Sequence, residues 1–471
     1  MSANPLAPAW LAQPADPNAI VPGVWSAGVR REESGELSIA GVPVGELAAQ
    51  YGTPLYVIDE ADARGRARRI RESFDREFAA VGSSARVYYA GKAFLTTEVA
   101  RWMIADGLNV DVCSGGELAV ALAAGVDASR LGLHGNNKSL SEIDRAVEVG
   151  VGAIVLDSLI EIERVADAAT RHGRVQAVRL RINSGVHAST HEYLATARED
   201  QKFGIALADA EATVAAIRSH ESLRFLGLHS HIGSQIFESD GFAEAARRLF
   251  DVHARLLEAG PVPELNLGGG FGIAYTSADV ALPLDEIAGR LARIVAAAAA
   301  EHGVPVPVVA VEPGRAIMGP AGSTLYEVGT IKPVEVGNDG GTAIRTYVSI
   351  DGGMSDNIRP ALYGADYTAR IASRRSDAEP ALVRVVGKHC ESGDIVVRDD
   401  YLPADVVPGD LLAVAATGAY CWSLASNYNY LGRPPVVAVL DGRARLLVRR
   451  ETEDDLLRRD TGYTSPGQER S

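Results

Sequence analysis

Lys92 stands just past an apolar run, in Tyr88-Tyr89-Ala90-Gly91-Lys92-Ala93-Phe94. A lysine flanked by apolar residues can lose protonation through desolvation, and the free amine can then condense with a carbonyl as a Schiff base. On position alone, an ordinary surface lysine is an equal reading. Gly268-Gly269-Gly270 follows another apolar run. Three glycines in succession let backbone N–H groups approach an anion such as phosphate, although a tight turn accounts for most glycine runs. Gly233 and Ser234 add an amide and a hydroxyl. Glu312, in Glu312-Pro313-Gly314-Arg315, offers a carboxylate to a ring nitrogen, or else a simple salt bridge at a turn. His229 and His231 stand at alternate positions, so one of them faces a barrel axis or rim, and His231 can stack flat on an aromatic ring.

Eight short runs rich in Val, Ile and Leu must carry these groups: 86–90, 109–113, 131–135, 153–157, 177–182, 225–229, 264–267 and 308–311. Segments with helical spacing lie between them, among them 97–106, 117–124, 141–149 and 242–257. Repeated βα units imply a parallel sheet. Eight such units closed into a ring make a (β/α)8 TIM barrel, an α/β fold whose active sites lie on the loops after the strands. The chemically interesting groups all fall on those loops, including Cys113-Ser114-Gly115-Gly116-Glu117 and Gly135-Asn136-Asn137-Lys138. A doubly wound open sheet would instead gather its ligand groups at one switch point. A Schiff-base lysine and a phosphate site on one barrel point to pyridoxal 5′-phosphate. A glutamate at the pyridine nitrogen keeps that ring protonated as a strong electron sink, whereas an arginine there would suit racemisation.

Beyond Met318 the chain turns to short β-rich segments, which predict a second, mostly antiparallel β domain. The expected division is a loose tail over 1–23, strands over 24–50 that join the β domain, the barrel over 51–318 and the β domain over 319–471. The stretch 183–200, with His187, His191 and Glu192, reads as a lid over the barrel mouth, and Arg181 points toward the same mouth, either to the cofactor or as a buried structural arginine. A chain of 471 residues with 47% hydrophobic and 23% charged residues is long enough for a large core and reads as globular. Its net charge of −15 argues against nucleic-acid binding and gives no support for an acidic membrane surface. Three cysteines make no disulfide framework, so a cytoplasmic setting is expected. The first 23 residues hold five prolines and no basic start, which is not a signal-peptide pattern, and no run is long enough to span a membrane. No metal site is assigned.

Nine motifs, taken together, resemble the diaminopimelate decarboxylase family, in the alanine racemase-like, fold type III group of pyridoxal-phosphate enzymes. They are Tyr89-Ala90-Gly91-Lys92-Ala93, Ser114-Gly115-Gly116-Glu117-Leu118, His134-Gly135-Asn136-Asn137-Lys138-Ser139, Gln201-Lys202-Phe203-Gly204, His231-Ile232-Gly233-Ser234-Gln235, Leu267-Gly268-Gly269-Gly270-Phe271-Gly272, Glu312-Pro313-Gly314-Arg315, Asn357-Ile358-Arg359-Pro360-Ala361-Leu362-Tyr363 and Cys390-Glu391-Ser392-Gly393-Asp394. The resemblance runs from about Ser26 to Asp460. It implies that Lys92 carries the cofactor, that His231 stacks on its ring and that Glu312 meets its pyridine nitrogen. Ser234, Gly270, Gly314, Arg315 and Tyr420 would hold the rest of it. Arg315, Arg359, Tyr363, Glu391 and Tyr420 would bind the substrate, with Cys390 as proton donor. The implied reaction is meso-2,6-diaminopimelate to L-lysine and carbon dioxide, the last step of lysine synthesis, in a homodimer whose sites are each completed by the partner's Cys390 loop. Decarboxylases of ornithine, arginine or carboxynorspermidine would have no use for both Arg315 and Arg359. A racemase fits Glu312 poorly, and a regulatory descendant should have lost Lys92 or Cys390. The remaining cysteines, Cys113 and Cys421, are expected to be structural.

Overall fold

The eight apolar runs pair side by side as parallel strands, and the pairing closes. The computed structural model describes residues 4–186, 202–237, 240–338 and 341–463. The first barrel strand, Ala85–Ala90, is followed around the ring by Asn109–Val112, Leu131–Leu133, Ala153–Leu156, Gln176–Asn183, Leu223–His229, Glu264–Asn266 and Val308–Val311. The last of these pairs back to the first through Val309↔Ala85 and Val311↔Val87. The fourth and fifth strands pair through Ile154↔Val178 and Leu156↔Leu180, so no edge is left open. Closure excludes the doubly wound alternative. A short strand, Ile205–Ala206, adds to the fifth strand outside the ring.

Helices follow the strands because the loop residues cap them. The Ser114 side chain accepts the Glu117 N–H at the start of Gly115–Ala123. Ser139 and Glu142 form a capping box on Leu140–Val149, which ends at Gly150 with φ +78°. Two motifs singled out by their glycines and polar residues thus serve in part as helix starts.

A charged network runs inside the barrel. Arg179, 1% exposed, donates to Glu264 at 2.8 and 3.0 Å and to the Tyr88 hydroxyl at 2.8 Å. Arg86 reaches the other Glu264 oxygen. These partners compensate charges that would be costly if buried singly.

The chain divides into two units, one of residues 64–273 and 281–317, which holds the barrel, and one of residues 1–63, 274–280 and 318–471. In the second unit the sheet order is Ile395–Pro403, Pro380–Val386, Gly341–Ile350, Gly322–Asn338, Leu55–Asp59, Val436–Leu440 and Arg443–Val448. Ala369–Ile371 and Leu411–Val414 pair alongside. Most neighbours are antiparallel. Leu55–Asp59 runs parallel to Val436–Leu440, as does Gly341–Ile350 to Pro380–Val386. Val29–Arg31, Leu37–Ile39 and Val42–Pro43 form a small separate sheet whose buried Val29, Leu37 and Val42 join Val57, Leu325 and Val437 in one core.

Three parts of the expected division differ, the first being residues 274–280, which the barrel range had included and which belong to the β unit. Leu55–Asp59, assigned to the barrel by a start at residue 51, is a central strand of the β unit, because a short, fully buried apolar run reads alike in either sheet. The first residues are not a loose tail from Asn4 onward. Leu11, 8% exposed, packs with Leu382 and Tyr401, and Leu6, Ala7 and Trp10 pack around them. Asn18 exchanges hydrogen bonds with the Ser376 backbone at 2.7 and 3.0 Å. Prolines and alanines that suggest disorder can still dock where a few apolar side chains find a groove. His187, His191 and Glu192 of the expected lid, and Gln201 of its motif, lie outside the described residues.

Two stability predictions follow from these burials. Arg179→Met should cost about 3 kcal/mol in urea unfolding, since Glu264 keeps only half-exposed Arg86 as its partner. His253 on the helix Asp240–Glu258 is 1% exposed, its Nδ1 has no partner among the described residues, and burial lowers its pKa to about 4. The unfolded chain then takes up a proton below about pH 6.5 that the folded chain refuses, so His253 destabilises the fold as pH falls from there toward 4. His253→Leu should flatten that part of the stability profile by up to about 3 kcal/mol, and an unchanged profile would refute the assignment.

Candidate active site

The barrel groups gather at the C-terminal ends of four strands that neighbour one another in the ring: the sixth, seventh, eighth and first. Lys92 lies in the single 3₁₀ turn Gly91–Ala93 after the first strand, exposed between two buried residues. Its positive charge acts on Cys113, Glu117 and His231. Gly314 packs against this turn, where a Cβ would come within 3.0 Å of the Ala90 carbonyl oxygen and of the Ala93 Cβ. The Ala90 N–H donates to the Pro313 carbonyl, tying the lysine loop to the loop after the eighth strand.

The triple glycine is required by crowding. Gly268 and Gly270 have φ of +68° and +106°. A Cβ on Gly269 would come within 2.2 Å of the Glu312 carbonyl oxygen, and one on Gly270 within 2.3 Å of that of Gly233. Two of the three amides are already engaged. The Gly268 N–H donates to Asn266 Oδ1 at 2.8 Å and the Gly269 N–H to His231 Nδ1 at 3.2 Å. Gly270 is therefore the member of the run that neither bond takes.

The two histidines divide as their alternation requires. His229 is 1% exposed and places Nε2 3.0 Å from Glu312 Oε1. Burial lowers its pKa to about 4 against the pull of Glu312, so it is neutral at neutral pH. His231 lies half-buried one loop further out. Burial, with the Lys92 charge adding to it, takes its pKa down to about 3, so it presents a neutral ring.

Glu312 is nearly buried, with its side chain 10% exposed. Burial alone would raise its carboxyl, but His229 and His134 outweigh that and hold it well below the usual carboxylate range. Oε1 receives the Asn266 amide at 2.8 Å and lies 3.0 and 3.5 Å from His229 and His134. All three approaches fall on one oxygen. Arg315 instead donates to the Ser234 hydroxyl at 2.8 Å, so the two ends of Glu312-Pro313-Gly314-Arg315 serve different neighbours.

Four barrel residues that matter here were not singled out as site residues from the sequence: Asp111, His134, Asn266 and Lys138. Asp111 is a lone acid within an apolar strand, which was a readable signal. Lys138, 3% exposed, donates to Glu161 at 2.8 Å and to the Gly135 carbonyl at 2.6 Å, and so clamps two adjacent loops. Arg181 lies 3.7 Å from Asp157 and over the Phe203 ring at 4.2 Å, while its charge also acts on His231.

The other candidates belong to the β unit. Arg359, 5% exposed, opens the short helix Arg359–Tyr363 between the rings of Tyr275 and Tyr367, at 4.8 and 5.6 Å, and donates to the Tyr367 hydroxyl. No carboxylate pairs with it among the described residues. Tyr363, at the end of that helix, is 66% exposed. Tyr420 adopts φ +63° beside buried Cys421, whose sulfur lies 3.7 Å from the Tyr367 hydroxyl. Cys390 and Glu391 are exposed on a loop held by its neighbours. Asp394 accepts the Met354 and His389 N–H groups at 2.6 and 2.8 Å, and His389 bonds Ser355 and Asn429 at 2.8 and 3.0 Å. Backbone and side-chain N–H and O–H donors, Ser392 among them, keep Glu391 below its ordinary pKa. Within the β unit, then, the segments carrying Arg359, Cys390 and Tyr420 are knit together.

Known proteins resemble this chain over most of its length. The family described as "Pyridoxal-dependent decarboxylase, pyridoxal binding domain" matches residues 65–319. The diaminopimelate decarboxylase of Mycobacterium tuberculosis (strain H37Rv) is 54% identical over 446 residues, 93% of this chain and 98% of that protein. That of Bacillus subtilis (strain 168) is 44% identical, covering 92% and 97%. The crystal structure of the diaminopimelate decarboxylase from M. jannaschii in complex with L-lysine superposes with a TM-score of 0.84 at 32% identity, covering 92% of this chain and 98% of that one. A barrel carrying Lys92, the glycine loop and an ionised Glu312 on adjacent strands, matched along nearly its whole length by such relatives, places this chain in the diaminopimelate decarboxylase family of pyridoxal-dependent decarboxylases.

Proposed function

We propose that this protein decarboxylates meso-2,6-diaminopimelate to L-lysine and carbon dioxide, the last step of lysine synthesis, using pyridoxal 5′-phosphate. The observation that carries the reading is the nearly buried Glu312, set beside two histidines on the same barrel rim as the exposed amine of Lys92. The residues fit the cofactor. Lys92 offers an amine to an aldehyde, Ser234, Arg315 and the Gly270 amide offer donors to a phosphate, and Glu312 offers a carboxylate to a ring nitrogen. Pyridoxal phosphate, when bound, supplies an aldehyde for the amine and a protonated ring that takes up the electron pair left by carbon dioxide.

The chain's own residues do the rest. With Asn266 and two histidines on Oε1, Glu312 keeps Oε2 for a ring N–H and remains ionised to hold its proton. Neutral His231 gives a flat face that brings no second positive charge to the ring. Gly314 allows its loop to lie against the lysine turn, and Tyr420 reaches the cofactor from the β unit.

For the far end of the substrate, Arg315, Arg359 and Tyr363 bind the distal carboxylate and Glu391 its ammonium. A buried guanidinium with no carboxylate of its own, as at Arg359, is a site that favours an incoming one. The bond from the D-centre to its carboxylate breaks, carbon dioxide leaves, and the Cys390 thiol delivers a proton to that carbon. Solvent then restores the thiol. Cys390 and Glu391 act in the site of the partner subunit of a homodimer. Their exposure on an anchored loop, with Leu362, Tyr363 and Tyr430 also exposed in the β unit, supports that placement. Among the described residues no helix is long and apolar enough to cross a membrane. A cytoplasmic location and the absence of nucleic-acid partners belong to the same reading.

Purified protein with added pyridoxal phosphate should release carbon dioxide and lysine from meso-diaminopimelate but neither product's counterpart from ornithine or arginine. Lys92→Ala should lower that turnover by at least about 10³-fold, and preferential turnover of ornithine would show that the distal arginines were misread. Lys92→Ala and Cys390→Ala should each be nearly inactive alone. Mixed after dissociation, they should recover about one quarter of parental activity, since half the dimers then hold one intact site of two. No recovery on verified subunit exchange would place Cys390 in its own subunit's site.

A further inference from the structure

Beneath the barrel rim four buried or nearly buried side chains converge, and Asp111 among them has no role so far. Asp111 comes from the second strand, His134 from just past the third, His229 from the sixth and Glu312 from just past the eighth. His134 Nε2 lies 3.2 Å from Asp111 Oδ1 and 3.5 Å from Glu312 Oε1, and His229 Nε2 lies 3.0 Å from the same Glu312 oxygen. The two imidazoles meet edge to face at 5.2 Å. Asp111, His134 and His229 are 4%, 7% and 1% exposed. Among the described residues, neither Asp111 oxygen, nor His134 Nε2, nor either His229 nitrogen has a well-aligned hydrogen-bond partner. These groups therefore have chiefly one another for compensation. Gly132 closes one side, since a Cβ there would come within 2.3 Å of Asp111 Oδ1.

Two carboxylates buried so near each other cannot both remain ionised without a proton or a cation between them. His134 Nε2 lies within reach of both. The charged and titratable groups acting on the cluster are Arg179 and Arg181 from the fifth strand and His231 from the loop after the sixth. Burial pushes the Asp111 carboxyl up, with His134 opposing. The nearest atoms of His134, His229 and Glu312, all within 4.8 Å, have a spacing that a divalent ion would also accept. Against an ion, the Asn266 amide already donates to the Glu312 oxygen that both imidazoles approach. An N–H donor there competes with a cation for that oxygen.

We propose that Asp111, His134 and His229 are positioning residues for Glu312: His134 shares a proton between Asp111 and Glu312, His229 donates to the same Glu312 oxygen, and together they hold that carboxylate ionised and aimed. The inference rests on the assignment of Glu312 to the cofactor ring. Asp111 touches neither cofactor nor substrate and acts through His134.

The test uses full-length protein carrying Asp111→Asn, His134→Gln or His229→Gln, with folding checked by circular dichroism. Apo protein is titrated with pyridoxal phosphate by fluorescence, and kcat and KM for diaminopimelate are followed with pH. Each variant should weaken cofactor binding and lower kcat roughly 10- to 100-fold, with KM changed less than about threefold. In the Glu312→Gln background, Asp111→Asn should add less than about twofold to either effect. Parental behaviour of Asp111→Asn, its full effect persisting beside Glu312→Gln, or loss of cofactor affinity on chelation would each overturn the proposal. Asp111→Asn is nearly isosteric and decides the matter if a histidine variant fails to fold. If the parent binds the cofactor yet does not turn over diaminopimelate, the proposed substrate is wrong, while the affinity measurements still judge the cluster.

Discussion

A carboxylate buried among histidines must stay ionised for this barrel to do its chemistry, and much of the local architecture answers that requirement. Removing Glu312 from water favours its neutral acid. The opposing terms come from other strands: Asn266 on the seventh, His229 on the sixth and His134 beyond the third. Only a closed ring brings side chains from so many directions to one oxygen. An open sheet would leave some of these strands on the far side of a layer.

The same economy of space governs the loops. The glycines after the seventh strand are small because the loops after the sixth and eighth press against them, and that crowding determines which amide remains for an anion. Gly314 answers a similar demand next to Lys92. These loops are therefore held by backbone contact with their neighbours, while the lysine side chain between them stays exposed. Deeper in the barrel, Arg179, Glu264, Tyr88 and Arg86 pair with one another, apart from the rim groups.

The β unit handles charge differently. Arg359 lies between two tyrosine rings and has no carboxylate partner among the described residues, so its charge is stabilised by ring faces and a hydroxyl, which leaves its attraction for an anion largely intact. Cys390 and Glu391, by contrast, sit exposed on a loop whose base is held through Asp394 and His389. A rigid base with an exposed tip leaves both side chains accessible.

Strand periodicity and motif spacing determined much of this protein before any coordinates. Short Val, Ile and Leu runs separated by helical segments read as buried parallel strands, and eight of them pointed to a barrel, which the pairing of the last strand with the first decided. Lys92, the glycine run and Glu312 could be singled out because glycine, lysine and glutamate at strand ends have few other uses in combination, and the strands that carry them are neighbours in the ring. Local pattern could not place Leu55–Asp59, since a buried run is apolar in either sheet, nor dock the first residues, whose groove is formed by Leu382 and Tyr401 from the far end of the chain. It could not reveal that Asp111 and His134 belong with Glu312, about 200 residues away along the chain. Such pairings depend on which strands close the ring and on the distances between side chains that no sequence spacing encodes, and those only the tertiary structure decided.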